Sequence, residues 1–207
     1  MLQILGYSAS INVRKVLWTC DEIGTPYAYT DWGAGSAAMK GPEFLALNPN
    51  GQVPVIKDGD FVLWESNTIC RYLAGKHGRA DLLPQEPAAR ARVEQWMDWQ
   101  ATELNPPWRY AFYALVRKSP AYTDPEKIKA SADEWNRKMA ILDRRIDATG
   151  GHAAGAAFTV ADIPLGLSVH RWLMTPIDRP DFPAVKAYHE RLSARPSFKK
   201  YTSEVFP

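Results

Sequence analysis

Cysteine is scarce in this chain of 207 residues: only Cys20 and Cys70 occur. They form no CxxC pair, and neither stands at ligand spacing from His77, His152, His170 or His189. No HExxH occurs either, so no metal site is expected. Both thiols sit among apolar residues at helical spacing, where cysteine serves as core filling rather than as a reactive group. Long hydrophobic runs are missing as well. No segment approaches the roughly 18 apolar residues that a membrane span needs. The opening Met1-Leu2-Gln3-Ile4-Leu5 has no basic region before it and its apolar run ends at once, unlike an export leader. A net charge of +2 gives no reason to expect nucleic acid or an anionic membrane as partner. There is no GxSxG elbow, which argues against a Ser-His-Asp hydrolase, and no internal repeat or low-complexity tract. These absences predict a soluble protein of a reducing compartment, the cytoplasm.

What is present is ordinary in bulk and informative in order. At 46% hydrophobic and 23% charged residues the chain is globular, and its length allows one large domain or two smaller ones. Leu2 to Tyr7 reads as a strand, and Val13, Val16, Leu17 and Cys20 follow at helical spacing until Gly24-Thr25-Pro26 stops them. Tyr27 to Trp32 alternates like a second strand. Val53 to Lys57 and Phe61 to Trp64 flank Asp58-Gly59, a hairpin signal. Ser66 is expected to cap a helix through Ile69, Tyr72 and Leu73. The order βαβ then ββα predicts a thioredoxin-like α/β unit over residues 1–78, with a parallel first pair of strands and an antiparallel last pair. Residues 79–87, with Pro84 and Pro87, form the linker, and residues 88–207 read as all-α. There Val93, Trp96, Met97 and Gln100 open one helix and Ala130 to Ile146 another. Thr159-Val160-Ala161-Asp162 is a variant capping box, with Phe158 and Ile163 placed as a hydrophobic staple. Gly33-Ala34-Gly35-Ser36-Ala37-Ala38 fits a dinucleotide fingerprint in form only. Pro42 follows before a helix can develop, so the segment reads as a loop.

The richest stretch is Asn48-Pro49-Asn50-Gly51-Gln52-Val53-Pro54-Val55, with Trp64-Glu65-Ser66-Asn67 beyond it. A Val-Pro pair at the mouth of a strand removes one backbone donor and holds an X-Pro bond open to the cis form. The residue before that proline can offer its own N–H and C=O to an extended peptide alongside. A glutamate and a serine at the next helix start add a negative charge and a set of unpaired N–H groups. Together they suit a small peptide carrying both an ammonium and a carboxylate.

In this order and spacing the chain resembles the cytosolic glutathione S-transferases, bacterial and serine-type, with a phi- or theta-like first site. Ser8-Ala9-Ser10-Ile11-Asn12-Val13-Arg14 resembles that group's first strand-to-helix turn. Lys40-Gly41-Pro42-Glu43-Phe44 through Val53-Pro54 is similar to its glutathione loop, and Glu65-Ser66 to its γ-glutamyl-binding pair. The capping box resembles its buried helix-start motif, which serves folding. The resemblance implies a thioredoxin-like α/β domain followed by an all-α domain. It also implies glutathione as co-substrate, with no cofactor, a small hydrophobic electrophile as second substrate, and a homodimer with Phe44 and Arg71 at its interface. Val53 would pair its backbone with the cysteinyl unit ahead of Pro54. Ser66 and its helix would hold the γ-glutamyl carboxylate, Glu65 would face the ammonium, and Lys40 with Gln52 would reach the glycine carboxylate. Asp98 falls where some bacterial members send a side chain across the dimer.

Relatives of the beta class carry cysteine at the turn of Ser10 and often histidine at the position of Asn105. Serine and asparagine here argue for activation of a bound thiol rather than for a mixed disulfide. A hydroxyl donating to a thiolate contributes roughly 1.5–3 kcal/mol, which lowers a thiol pKa by about one to two units. A helix dipole adds about 0.3–1 kcal/mol, less than one unit. The direct donor outweighs it, so Ser10 is the candidate catalytic residue, with Asn12 and Ser8 as substitutes. A lone serine ahead of an amphipathic helix reads first as a cap; the two downstream pairs reverse that reading. Trp108, Arg109, Tyr110 and Tyr113 follow Asn105-Pro106-Pro107, where the prolines must kink or break a helix and so expose aromatic surface to an electrophile. Two other functions stay open on the same residues. One is a glutathione-dependent peroxidase or disulfide-bond reductase, and the other is a non-catalytic carrier or interaction module.

Overall fold

Strand β1 (Leu2–Gly6) buries Leu2, Ile4 and Leu5. It is the centre of a four-stranded sheet ordered β2-β1-β3-β4. Strand β2 (Tyr27–Asp31) pairs with it in parallel, Leu2 opposite Tyr27, while β3 (Val55–Asp58) runs antiparallel with Leu5 opposite Val55. Strand β4 (Phe61–Trp64) returns antiparallel across a turn at Gly59. Residues 1–33 and 37–203 are described by this computed structural model, in two compact units, Met1–Leu83 and Pro84 onward. The expected βαβ-ββα order is therefore present, with its parallel first and antiparallel last pair.

Helix α1 (Ile11–Ile23) closes at Gly24, where the N–H groups of Gly24 and Thr25 both return to the Cys20 carbonyl, at 2.8 and 3.0 Å. It lies tight against the end of β1. A Cβ at Gly6 would come within 2.5 Å of Val13 Cγ2, so only glycine permits that approach. Helix α3 (Ser66–Lys76) packs against α1. Cys20 and Cys70, on these two helices, are fully buried. Burial pushes the Cys20 thiol up to about 12 and that of Cys70 to about 11. Both thiols therefore stay protonated at neutral pH, and the thiolate is the nucleophile. The native protein is expected to resist alkylation by iodoacetamide at mildly alkaline pH and to take up two equivalents once unfolded. Rapid labelling of the folded chain would contradict this burial.

Three expectations are corrected here. Pro42 does not prevent a helix: it opens α2 (Pro42–Leu47), because a proline at the first helical position lacks only an N–H that would be unpaired anyway. Residues 34–36 of the glycine-rich segment before it lie outside the described residues. Helix α2 turns Phe44 inward, fully buried with its ring 4.9 Å from Trp32, so Phe44 belongs to this unit's own core and is not presented as an interface residue. The residue at the cap position of α3 is Glu65, whose side chain makes no capping bond, and Ser66 becomes the first helical residue.

The second unit is helical throughout its regular structure. Helix α4 (Pro87–Trp99) is capped by Glu86, whose carboxylate accepts from the N–H groups of Ala88 and Ala89. The Pro106-Pro107 pair breaks the helical run as expected. Before it, a π-helical turn at Gln100–Leu104 lets the Asn105 N–H reach back to the Gln100 carbonyl at 2.9 Å, and α5 (Trp108–Leu115) starts afresh. Helix α6 (Pro125–Thr149) buries Trp135, Met139, Leu142 and Ile146 along one stripe. Helix α7 (Asp162–Met174) is buried through nearly its whole length. Helices α8 (Pro183–Ser193) and α9 (Pro196–Thr202) complete the unit. The Thr159–Asp162 box is half of the expected pair. The Thr159 N–H donates to Asp162 Oδ2 at 2.7 Å, but the Thr159 hydroxyl donates to the same carboxylate instead of accepting from the helix. The histidines, scattered in sequence, are not all apart in space. His170 stacks on His189 with Nδ1 and Nε2 3.2 Å apart, and His152 lies 3.3 Å from Asp162.

Candidate active site

A cavity of about 360 Å³ opens in the first unit, and Asn12, Gln52, Val53, Pro54, Glu65 and Ser66 line it. Three separate segments deliver these residues. Asn12 comes from the first turn of α1. Gln52 to Pro54 come from the loop before β3, where the Val53–Pro54 peptide bond is cis. The β1–β3 register stops at Val55, two residues short of the Val53 backbone. Glu65 and Ser66 come from the junction of β4 and α3. Glu65 sits there at φ 73°, ψ 106°, a conformation that costs about 1–3 kcal/mol in a residue with a side chain. That twist joins β4 directly to α3. The exposed Glu65 carboxylate and the helix's first N–H groups, with their partial positive charge, therefore border the same space.

Two further residues, Asn48 and Asn50, line the cavity and were missed as site residues. Asn48 is buried and holds the loop in shape. Its amide donates to the Gln52 carbonyl at 2.7 Å, and its Oδ1 accepts from the Asn50 backbone N–H and side-chain amide, both at 3.0 Å. Gly51, at φ 61°, lies between Asn50 and Gln52, and a Cβ there would stand 3.1 Å from the Met39 carbonyl. The Asn-x-Asn-Gly spelling is the signal that could have found this brace, since asparagine side chains close turns onto their own backbone.

Ser10 occupies the position before α1 with extended geometry, φ −74° and ψ 120°, yet its side chain makes no capping bond. Its N–H donates to the Tyr7 carbonyl and its C=O accepts from Arg14, each at 3.0 Å. The hydroxyl is thus not used as a helix cap. Ser10 is not among the cavity-lining residues given above, whereas Asn12 is. Ser8 is exposed, with its carbonyl taken by Arg14 Nε at 2.6 Å, which pins the turn. Lys40 is exposed at the end of a short helical turn, Ala37–Lys40, and does not line the cavity.

Residues 2–75 match the glutathione S-transferase N-terminal domain, and residues 108–204 match the glutathione S-transferase C-terminal domain. The chain is 35% identical over 202 residues to glutathione S-transferase GstB of Escherichia coli, covering 97% of each. The chain belongs to the glutathione S-transferase family. It is also 32% identical over 212 residues to glutathione S-transferase 3 of Zea mays, covering 99% of this chain and 94% of that one. Among solved structures it is similar to the theta class glutathione S-transferase of Xanthomonas axonopodis pv. citri with glutathione bound. That match has a TM-score of 0.89 at 36% identity and covers 100% of this chain and 99% of the other. The thioredoxin-like first domain and all-helical second domain are those of the family.

The helical unit of this family member gathers most of the aromatic residues singled out from the sequence. Asn105 Oδ1 accepts from Trp108 Nε1 at 2.8 Å, so Asn105 braces the indole. Trp108 stacks on Tyr113, 6.4 Å between centroids at 9°, and Tyr113 stacks on Tyr122 at 4.9 Å. Tyr110 meets Tyr122 edge-on at 5.0 Å. The Arg171 guanidinium lies 4.3 Å over Trp108 and 4.6 Å over Phe112. Tyr122, Phe112 and Arg171 are the members that sequence reading missed. Tyr122 comes from the loop before α6 and Arg171 from α7, so no local spacing announces them. Arg109 is exposed on α5, and Asp98 is exposed on α4, where its carbonyl accepts from Thr102 Oγ1. Among the described residues no group of three or more metal-ligating side chains comes together, and no helix is long and apolar enough to cross a membrane.

Proposed function

We propose that this protein binds glutathione in the cavity of its first unit and ionises the thiol for attack on small hydrophobic electrophiles. The observation that carries this reading is the convergence on one cavity of the Val53 backbone, the Glu65 carboxylate and the N-terminus of α3 at Ser66. These groups match the three recognition needs of an extended γ-glutamyl peptide: backbone pairing, an acceptor for its ammonium and donors for its carboxylate. Val53 pairs with the cysteinyl unit, Glu65 faces the ammonium, Ser66 and α3 hold the γ-glutamyl carboxylate, and Gln52 with Lys40 serves the glycine end. Ser10 donates a hydrogen bond from its hydroxyl to the thiolate sulfur, supported by the absence of any capping bond from that side chain, with Asn12 as the alternative donor. The thiol proton leaves to solvent, the thiolate forms a bond to the electrophilic carbon, and the leaving group departs with its electron pair. The cluster of Trp108, Tyr110 and Tyr113, with Asn105 and Arg109 beside it, offers the apolar electrophile a surface. A homodimer, in which Asp98 of one copy approaches the γ-glutamyl amine of the other, belongs to the same proposal and requires the protein to sediment as two chains.

Contacts to the γ-glutamyl end are alike in ground and transition states, and such uniform binding shows in KM rather than kcat. Ser66→Ala is expected to raise KM for glutathione about ten- to 100-fold, and Glu65→Ala to act in the same direction. Steady-state kinetics with a chloroarene checks both. A loss of kcat with KM unchanged would contradict the assignment. Turnover of an organic hydroperoxide without turnover of the chloroarene would replace conjugation by peroxidase chemistry. Failure of the wild type to bind immobilised glutathione would leave the fold as a carrier.

A further inference from the structure

A lysine lies inside the first unit directly behind the α3 N-terminus. Lys15, on α1, is only 3% exposed, yet it carries an ammonium into the interior. Its Nζ donates to Asn67 Oδ1 at 3.2 Å and reaches Ser66 Oγ at 3.5 Å. Ser66 and Asn67 are themselves 7% and 8% exposed. They are the first two residues of α3, where backbone N–H groups lack helical partners. A buried cation is costly to desolvate unless specific acceptors receive it, and an apolar residue would fill the same space without that cost. Here the acceptors that receive it are side chains at the head of α3, beside the cavity.

We propose that Lys15 is a positioning residue for the carboxylate of the bound peptide. It acts through Ser66 and through the field at the head of α3, and the proposal rests on the glutathione reading above. A hydroxyl has one proton and two lone pairs. With Lys15 donating toward Ser66 Oγ, the hydroxyl is biased to use its own proton as a donor, and the cavity that Ser66 lines is where an anion would accept it. The same ammonium adds a full positive charge behind the partial charge of the helix terminus, and the low local dielectric strengthens both. The cavity's preference for a carboxylate at that end is thus set from the interior, by a residue that does not line it.

The test is a cycle between protein and ligand. Calorimetric titration measures binding of glutathione, and of its analogue lacking the γ-glutamyl α-carboxylate, to the wild type and to Lys15→Met. Methionine keeps the length of the stem and removes the charge and its donors. Lys15→Met is expected to weaken glutathione binding about tenfold or more, while binding of the decarboxylated analogue changes little. In steady-state kinetics the loss is expected in KM for glutathione more than in kcat. Should Lys15→Met fail to fold, Lys15→Gln, which keeps a donor and removes the charge, is measured in the same way with the same expected pattern. Equal affinities of the variant and the wild type for glutathione would overturn the proposal. So would an equal loss for both ligands, which is the signature of a merely structural lysine. A wild type that binds neither ligand would instead overturn the glutathione reading beneath it.

Discussion

Ser10→Ala is expected to cut kcat about ten- to 150-fold near neutral pH while leaving glutathione affinity nearly intact. In the proposed function the hydroxyl stabilises the bound thiolate and so would lower the thiol pKa in the wild-type complex. Removing it raises that pKa, and at neutral pH the reactive thiolate becomes the minor form. The deficit must therefore shrink as pH rises through the variant's thiol pKa, because ionisation there needs no donor. As a fold-change it is largest below the wild-type thiol pKa, declines between the two values and vanishes above the variant's. The fold itself should tolerate the change, since the Ser10 side chain caps nothing and only its backbone is tied to Tyr7 and Arg14. Substituting cysteine should instead allow a mixed disulfide with glutathione, visible as added mass. Wild-type kcat and an unshifted pH profile in Ser10→Ala would move the donor to Asn12, which does line the cavity. The glutathione assignment would survive that outcome.

The second large effect is on stability. Asp162 is fully buried, and its carboxylate gathers the Thr159 N–H at 2.7 Å, the Thr159 hydroxyl at 3.2 Å and the Tyr188 hydroxyl at 2.9 Å. His152 Nδ1 lies 3.3 Å away. Tyr188 is equally buried, and burial together with the Asp162 charge holds its phenol well above the ordinary range, so it remains a donor at every physiological pH. Truncating Asp162 leaves these donors in the interior without their acceptor. Asp162→Ala is expected to destabilise the helical unit by about 3–5 kcal/mol, the scale seen when one partner of a buried charged network is removed. Asp162→Asn keeps one acceptor oxygen and should lose less. Urea unfolding followed by tryptophan fluorescence checks both. A loss below about 1 kcal/mol for the alanine variant would show that the network contributes little beyond what water could replace.

Much of the fold can be read from the sequence because its elements are periodic. Leu2 to Gly6 is a short apolar strand run, Val13, Val16 and Cys20 keep helical spacing, and Asp58-Gly59 marks a two-residue turn. Each of these is a local property, and local properties survive into the structure. The corrected expectations lie at helix starts. Pro42 makes the segment before it read as a loop, yet it begins α2, where a first-position proline costs no hydrogen bond. Ser66 was read as a cap, yet the strained Glu65 takes that position because β4 must turn at once into α3. The site was partly readable because Val53-Pro54 and Glu65-Ser66 are short motifs with a mechanism attached. The brace made by Asn48 leaves only the faint Asn-x-Asn-Gly signal in the sequence, and the burial of Lys15 leaves none. The first depends on how one loop closes on itself. The second depends on the packing of α1 against α3, where a lysine in an amphipathic pattern looks like any solvent-facing charge.

The measurement that bears most directly on the whole assignment is the ultraviolet thiolate absorbance of glutathione bound to the wild-type protein, titrated with pH. The expected result is a saturable thiolate band whose midpoint lies about one to two units below that of free glutathione. That shift should be lost in Ser10→Ala. A saturable band that titrates with the free thiol would show a protein that binds glutathione without activating it, and no saturable band at all would show that the cavity does not hold glutathione.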